Sequence, residues 1–354
     1  MFKMILQMTC LVLVLSGLAI GKRDYNFDKN DLYSSSQVRQ INIEIPYGNM
    51  EIKKSSSDKI EVHFRHIVFA NSQENADDIN RELNYKIEQV GDRLVIGMDR
   101  EHNNPSRKEF WKKLLDGDRK NSQILLKILL PDNKSAKINS ASCEIKISDL
   151  HLDLEINSAS SAIAMENTGG EISCELASGD VIIGGHDGNI EIETASSDLH
   201  LNDIKGNLKL SAASGNIEID NVGGNIDAEA SSGDIRAYTV SGSVDLSTIS
   251  GSIFADDLSG SSRTKTVSGD ITMKSLQAVD GRISASSVSG QIHLEINSKF
   301  AGEIDISSVS GRVSHSFEGD LRMESRNRIS GNIGIGNGSL NISSTSGDIV
   351  IEKY

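Results

Sequence analysis

Aspartates that recur along the second half of the chain are the residues whose type and spacing could bind a metal ion. Four of them lie at multiples of eighteen residues and a fifth extends the series: Asp180, Asp198, Asp234, Asp270 and Asp348. Calcium-binding β-rolls also use nonapeptides, but they carry a Gly-Gly-x-Gly-x-Asp unit, which this chain lacks. A calcium ion takes about six to eight oxygen ligands, and other repeats place different side chains here: Asn216, Ser252, Gln291 and Arg312. We interpret these aspartates as turn residues, with calcium binding as the alternative.

No motif of a catalytic site occurs in the sequence. There is no Gly-x-Ser-x-Gly elbow, no His-Glu-x-x-His pair and no phosphate-binding glycine loop. Carboxylates are plentiful but scattered, whereas paired catalytic acids need a defined separation. His186, beside Gly184-Gly185, could be a ligand, but we interpret it as a buried or turn histidine. The sequence therefore predicts no catalytic, cofactor-binding or metal-binding residue and indicates that the protein is not an enzyme.

A charged loop over residues 102–121 contains the single tryptophan, Trp111. Its basic neighbours are Lys108, Lys112, Lys113, Arg119 and Lys120. An exposed indole in this setting could stack on a sugar or an aromatic ring. The alternative, which we favour, is that Trp111 packs on the core of its own domain.

An internal repeat defines the elements that must position all of these residues. Serine recurs every eighteen residues from Ser142 to Ser268, and glycine follows it in five of eight cases. A second glycine series lies nine residues out of phase: Gly170, Gly188, Gly206, Gly224, Gly242 and Gly260. Within each nine-residue half, apolar residues alternate with polar ones, as at Ile190 and Ile192. Alternation with period two is typical of a strand with one buried face.

The repeat predicts an all-β fold, a parallel β-solenoid (β-helix) with about 18 residues and two strands per coil. Alanine precedes the serine at Ala159, Ala177 and Ala195, while the matching position of the other half holds larger residues. This difference favours two strands per coil, and we expect small residues at one corner to face larger ones across a thin core. From about residue 137 to 354 there is room for roughly twelve coils, spaced by about 4.8 Å.

Two irregularities are visible in the later repeats. Ser262 and Thr264 replace the inward apolar pair of one half. After Ser268 the spacing lengthens to about twenty-one residues, which predicts small corner bulges. The series continues as three further corners: Ser310-Gly311, Ser330-Gly331 and Ser346-Gly347.

Residues 22–135 lack the regular serine and glycine series and are predicted to form a less regular, β-rich capping segment. We interpret it as the first coils of the same sheet system with insertions. Its predicted parts are strands at 41–45 and 59–64 with a turn at Tyr47-Gly48-Asn49 between them, a helix at 74–83 with Ser72 as N-cap, a hairpin at 85–96 turning at Gly91-Asp92, and a buried strand at 124–130.

Residues 1–21 resemble a secretory signal peptide, with Lys3, an apolar run and small residues at Ala19 and Gly21. The alternatives are an uncleaved anchor or a lipoprotein that uses Cys10. We therefore expect an exported protein in the periplasm, at the cell surface or outside the cell, and not an integral membrane protein after cleavage. Cys143 is predicted at a turn and Cys174 inside the core, in different columns, so both should be free thiols.

Charge limits the class of partner. The net charge is −14 with a pI near 5.1, and nucleic-acid binding needs clustered Lys and Arg. The sequence thus predicts no nucleic-acid partner and indicates no oligomeric state.

The recurrent Ser-Gly-Asp-Ile unit, for example Ser232 to Ile235 and Ser346 to Ile349, follows the predicted leader and an opening Ile-x-Ile-x-Ile segment at residues 41–45. In this the chain resembles the bacterial putative-adhesin family, a β-strand-repeat domain of unknown function, over residues 35–354. The resemblance implies a right-handed β-solenoid at the bacterial envelope and no catalytic residues. This chain differs from the family pattern in its regular eighteen-residue spacing and in its charged Trp111 loop.

These observations predict an adhesin-like, non-enzymatic module of the cell envelope that binds a cell-surface glycan or protein through an extended face or a loop. One alternative is a periplasmic structural or envelope-stress protein with no adhesive role. The other is a polysaccharide-active β-helix enzyme, which would need a cleft walled by long loops, whereas the turns of the repeat are short.

Overall fold

A computed structural model describes residues 22–98, 121–318 and 320–354. The predicted leader and Trp111 lie outside the described residues. Within them the fold is all-β: the strands form one hydrogen-bonded sheet system, accompanied by a single α-helix and a short 3-10 turn.

The N-terminal elements are β1 (Arg23–Ser34), the 3-10 turn (Ser35–Gln37), β2 (Gln40–Lys54), β3 (Lys59–Ala70), α1 (Gln73–Leu83), β4 (Tyr85–Val90), β5 (Arg93–Met98) and β6 (Ser122–Leu130). The regular part comprises β7 (Lys134–Ser160), β8 (Ala162–Gly169), β9 (Ile172–Ser178), β10 (Val181–Asp187), β11 (Ile190–Ser196), β12 (Leu199–Ile204), β13 (Leu208–Ser214), β14 (Ile217–Val222), β15 (Ile226–Ser232), β16 (Ile235–Val240), β17 (Val244–Ser250), β18 (Ile253–Leu258), β19 (Ser262–Ser268) and β20 (Ile271–Leu276).

The C-terminal elements are β21 (Arg282–Ser289), β22 (Ile292–Ile296), β23 (Gly302–Ser308), β24 (Val313–His315), β25 (Asp320–Ser325), β26 (Arg328–Ile333), β27 (Gly338–Ser346) and β28 (Ile349–Lys353).

Parallel pairing between alternate strands builds the regular part. Val181 of β10 lies opposite Ile163 of β8 and Leu199 of β12, each eighteen residues away. Odd-numbered strands from β9 to β21 pair with one another and form the odd-strand face, and even-numbered strands from β8 to β22 form the even-strand face. The long repeated parallel sheet that the serine and glycine series predicted is therefore present.

Strand alternation places the core between the two faces. Val181 and Ile183 on one face, and Ile190 and Ile192 on the other, are all at most 1% exposed. Ser262 and Thr264 occupy the same inward positions and are likewise buried. The alternating apolar residues of the repeat thus mark the inner face.

The alanine column does not face the core, so the expected pairing of small and large residues across it is wrong. Ala177, Ala195 and Ala213 are exposed, because each follows an inward residue and strand alternation turns it outward. The inward position at this corner is Leu176, Thr194 or Ala212, one residue earlier. In later coils the outward column carries Ile249, Val267 and Val288, which are 46–58% exposed.

The stack begins in the N-terminal segment, at β2. Ile41 pairs in parallel with Ala136 of β7 and, on its other side, with Leu94 of β5. The expected turn at residues 47–49 is a coil corner within β2, where Gly48 has a φ of +125°, and it does not separate two strands. These residues pair with β7 through the corner, where Gly48 lies opposite Cys143.

Antiparallel strands and the helix extend this end of the stack. Strand β6 pairs with β2 in parallel and with β3 antiparallel, and β3 in turn pairs with β1. Strands β4 and β5 form the predicted hairpin, and α1 begins after Ser72, whose Oγ accepts the Asn75 N–H at 3.3 Å. These elements confirm the predicted helix, hairpin and β6; the domain division at 135/136 stays a prediction.

Coils at the C-terminal end do not follow sequence order. Strand β27 lies between β21 and β23, and β28 lies between β22 and β24. The last coil of the chain, β27 and β28, is therefore inserted between the coil of β21 and β22 and the coil of β23 and β24. The prediction of a corner at Ser330-Gly331 is wrong: both residues lie in β26, which runs antiparallel to β23 and β25. The lengthened spacing is present, since Ser262 pairs with Ile283, twenty-one residues on.

Candidate functional site

Four of the five turn aspartates take part in a ladder of side-chain hydrogen bonds between coils: Asp198, Asp234, Asp270 and Asp348. The Asn216 backbone N–H donates to Asp198 Oδ1 at 2.7 Å, and the Asp234 N–H donates to Asn216 Oδ1 at 3.0 Å. The ladder continues from Ser252 N–H to Asp234 Oδ1 at 2.9 Å. Each side chain therefore accepts the amide of the equivalent residue one coil later, which explains why Asp, Asn and Ser alternate at this position.

His186 is a buried histidine, as interpreted from the sequence. It is 1% exposed; Nε2 donates to the Gly170 carbonyl at 3.0 Å, and Nδ1 accepts from Thr168 Oγ1 at 2.9 Å. The carbonyl can only accept, so this bond assigns the ring proton to Nε2. Burial lowers the pKa of His186, which keeps the imidazole neutral, and both ring nitrogens are used within the core.

Both described cysteines are free and buried, which confirms the expected free thiols. Cys143 lies at the predicted turn of the repeat, which is a corner that β7 rounds without a break. Burial raises the pKa of the Cys174 thiol to about 12. A thiol in this state is a poor nucleophile, because only the thiolate reacts readily.

Two aromatic side chains stand side by side on the outer surface of the even-strand face. In residues 136–299, Tyr238 and Phe254 are the only Phe, Tyr or Trp residues. Tyr238 follows the inward Ala237 of β16, and Phe254 follows the inward Ile253 of β18, so strand alternation turns both rings outward. Their centroids lie 5.5 Å apart with the planes inclined at 45°.

Charged groups surround these two rings in the sheet register. Arg236 lies directly opposite Phe254, and Asp256 lies opposite Tyr238. Asp220 flanks Tyr238 on its other side, and Arg236 is held by Asp234 at 2.8 Å. We call Tyr238, Phe254, Arg236, Asp220 and Asp256 the aromatic platform. Ring faces can contact apolar C–H groups, while carboxylates accept and a guanidinium donates hydrogen bonds to hydroxyl groups.

The sequence analysis did not find this platform, although a signal was available. The residues at the equivalent positions of the adjacent coils are polar or charged, namely Arg236 and Thr272 beside Phe254 and Asp220 and Asp256 beside Tyr238, which marks the outward face. The predicted alternative site, Trp111, lies outside the described residues. The predicted absence of catalytic, cofactor and metal residues stays a prediction.

No helix among the described residues is both long and apolar enough to span a membrane.

Several solved structures are similar to this chain at low identity. One is a "putative cell adhesion protein" from Clostridium sporogenes: 12% identical, 93% of this chain and 100% of that chain covered, TM-score 0.20. Another is a "putative adhesin" from Bacteroides fragilis: 11% identical, 93% and 97% covered, TM-score 0.24. A third is a "putative lipid binding protein" from Parabacteroides distasonis: 15% identical, 92% and 96% covered, TM-score 0.29. No curated protein matches this chain.

A family model described as Toastrack DUF4097 matches residues 38–257 and 188–352. The two ranges overlap and together run from β2 to β28, so they cover both the regular part and the irregular C-terminal end. This match confirms the resemblance to a repeat family of unknown function that the Ser-Gly-Asp-Ile units indicated. On this evidence the chain belongs to the Toastrack DUF4097 family.

Proposed function

We propose that this protein is an exported, non-enzymatic, adhesin-like module of the cell envelope that binds a glycan through the aromatic platform. The observation that carries the proposal is the outward pair Tyr238 and Phe254 in a stretch with no other Phe, Tyr or Trp. We further propose that the coils are right-handed, with two strands and about 18 residues each.

The platform has the chemistry that a sugar requires. A pyranose ring presents C–H groups on one face, which favour contact with the electron-rich face of an aromatic ring. Its hydroxyl groups need donors and acceptors, which Arg236, Asp220 and Asp256 offer at both sides of the rings. Tyr and Arg are also the residue types that contribute most strongly to binding at protein surfaces.

The platform lies on a rigid sheet, which favours binding over a purely structural role for the rings. Strands β14, β16, β18 and β20 pair in register on this face, so the rings and charges are positioned before a ligand arrives. A structural alternative exists, because a cross-strand aromatic pair contributes roughly 0.2–1 kcal/mol to stability by itself. The two roles differ in the effect that removing the rings would have on glycan binding.

A glycan array with purified full-length mature protein tests the binding role. We expect wild type to bind a subset of glycans, and the double variant Tyr238→Ser, Phe254→Ser to lose that binding while keeping its far-UV circular dichroism. Ile182→Ser is the matched control, because Ile182 lies in the outward column of Phe254 four coils away and is 47% exposed. Equal binding by wild type and the double variant would contradict the proposal.

Antibody labelling of intact and permeabilised cells tests the location. A tagged protein that is labelled on intact cells supports adhesion. Labelling only after permeabilisation supports the periplasmic structural or stress role instead. Cleavage of any bound polysaccharide by the wild type would contradict the non-enzymatic assignment.

A further inference from the structure

A histidine and two glutamates converge on the outer side of the even-strand face, at its C-terminal end. His293 and Glu295 lie on β22, and Glu352 lies on the inserted strand β28. One ligand atom from each residue falls within 4.8 Å of the other two. We propose that these three side chains bind a divalent transition-metal ion of the Zn²⁺ class.

The sheet register brings the three side chains together. Glu295 lies directly opposite Glu352, and His293 is two residues earlier on β22, so strand alternation puts all three on one surface. His293 Nε2 is 3.5 Å from Glu352 Oε2. This nitrogen is buried and has no hydrogen-bond partner among the described residues, so it is available to a metal ion.

The donor set determines the class of ion. Imidazole nitrogen with carboxylate oxygen suits Zn²⁺ and its neighbours in the first transition row, whereas Ca²⁺ and Mg²⁺ are held by oxygen alone. Zinc bonds to nitrogen and oxygen are about 2.0–2.2 Å long, so small side-chain rotations would bring the three ligand atoms around one ion. Water would fill the remaining position.

Lys274 is the competing cation at this position. Lys274 lies on the neighbouring strand β20, and its Nζ is 3.7 Å from Glu295 Oε1. A bound divalent ion would have to displace this ion pair or share the carboxylate with it. Removing the lysine charge should therefore strengthen metal binding, which is a gain that a loss of folding cannot produce.

An ion bound by His293, Glu295 and Glu352 would link β22 to β28 of the inserted coil. Glu352 lies 57 positions after Glu295 in the chain, and the two strands are adjacent only because the last coil is inserted. An ion that binds the folded arrangement but not the unfolded chain stabilises the fold by mass action. Zinc should therefore raise the melting temperature and protect β28 from exchange.

Isothermal titration of full-length mature protein with ZnCl₂ tests the proposal, using protein without a polyhistidine tag. We expect one site per chain, and binding weakened by about tenfold or more in His293→Ala and in Glu352→Gln. His200→Ala is the matched control, because His200 occupies the same outward column and has one glutamate, Glu218, at 3.4 Å. That variant should bind zinc like wild type. CaCl₂ should give no comparable heat.

Three results would overturn the proposal. They are the absence of a zinc site in wild type, equal zinc affinity in His293→Ala, and a site that His200→Ala removes instead. Lys274→Ala provides the second measurement: tighter binding and a larger zinc-dependent rise in melting temperature are expected, and weaker binding would contradict the proposed ligand set. Retained circular dichroism in each variant separates loss of the site from loss of the fold.

Discussion

At the scale of single residues, one backbone position per coil adopts a left-handed conformation. It recurs every eighteen residues and has φ between +49° and +66°: Asp149, Asn167, Gly185, Asp203, Asn221, Thr239, Asp257 and Ser275. Asn, Asp and Gly tolerate this conformation well, whereas a β-branched residue is strained there. The left-handed conformation explains why Asp203, Asn221 and Asp257 stand just before the inward residue that ends β12, β14 and β18. It also identifies Thr239 as an unfavourable member of the column.

Thr239→Asn should therefore stabilise the protein, because Asn adopts the observed φ of 51° at lower cost. The expected gain is about 1 kcal/mol in the free energy of unfolding, measured by chemical denaturation. The reciprocal variant Asn221→Thr, one coil earlier, should lose a similar amount. No change in either variant would contradict the assignment of strain to this column.

Gly224→Ala should destabilise the protein because the coils approach closely at this corner. A Cβ at Gly224 would lie 2.3 Å from the Gly206 carbonyl oxygen of the previous coil and 2.6 Å from its carbonyl carbon, and both of these Gly206 atoms belong to the backbone. We expect a loss of about 2–3 kcal/mol. Gly223→Ala is the control, since its Cβ would meet the nearest atom at 3.5 Å. Equal melting temperatures for the two variants would show that the corners can separate.

His186 should make stability depend on pH. Its folded-state pKa is lowered, mainly by burial, so the unfolded chain binds more protons than the folded chain below the ordinary histidine pKa of about 6.5. The contribution of neutral His186 to the free energy of unfolding should be fully present above about pH 6.5 and should fall as the pH drops from there towards the folded-state pKa. The pH slope should diminish in His186→Val, and an unchanged slope would exclude His186 as its source.

At the scale of elements, the inserted coil decides how the C-terminal end is closed. Strand β27 is paired on both sides, and β25 and β26 continue the sheet beyond β23 with antiparallel pairs. On the other face the end strand β24 has only three residues. A short edge strand and an antiparallel hairpin both limit edge-to-edge association with other molecules.

Truncation after residue 337 should therefore remove the strands that join β21 to β23 and β22 to β24. It removes β27 and β28, which leaves β23 paired with β26 alone. We expect the backbone amides of β21, β22 and β23 to exchange with deuterium much faster than in the full chain, while those of β10 to β14 keep their protection. Protected amides in β23 would instead show that the terminal hairpin docks without the inserted coil.

At the scale of the whole molecule, stability is a sum over neighbouring coils, since each coil pairs only with the coils beside it. A single polar change in the core of the regular part should therefore weaken the contacts of its own coil with the coils on both sides. Ile217 is 0% exposed and pairs with Leu199 and Ile235.

Ile217→Asp places an unpaired charge in this core and should cost several kcal/mol, about 3 or more. Thermal unfolding measures the effect, with Glu218→Ala as control because its side chain points outward on the same strand. An unaltered melting temperature in Ile217→Asp would show that the inward and outward positions have been exchanged.

Much of the regular part could be predicted from the sequence. Pairing at a constant offset repeats the same residue types at the same spacing, so Ser178 and Ser196 mark equivalent corners and Val181 and Leu199 mark one core column. Strand alternation then determines which side chains are buried. These are local properties, and a local pattern is sufficient to indicate them.

Only the tertiary structure decided the order of the last coils and the sites that depend on it. The corners at Ser289, Ser310 and Ser346 carry the same Ser-Gly unit, so any of these coils could pair with any other. The choice depends on competition between pairings across the whole C-terminal end, including the hairpin of β25 and β26. For this reason no spacing in the sequence could bring Glu352 beside His293, whereas the eighteen-residue repeat by itself determined that the protein is a stack of parallel strands.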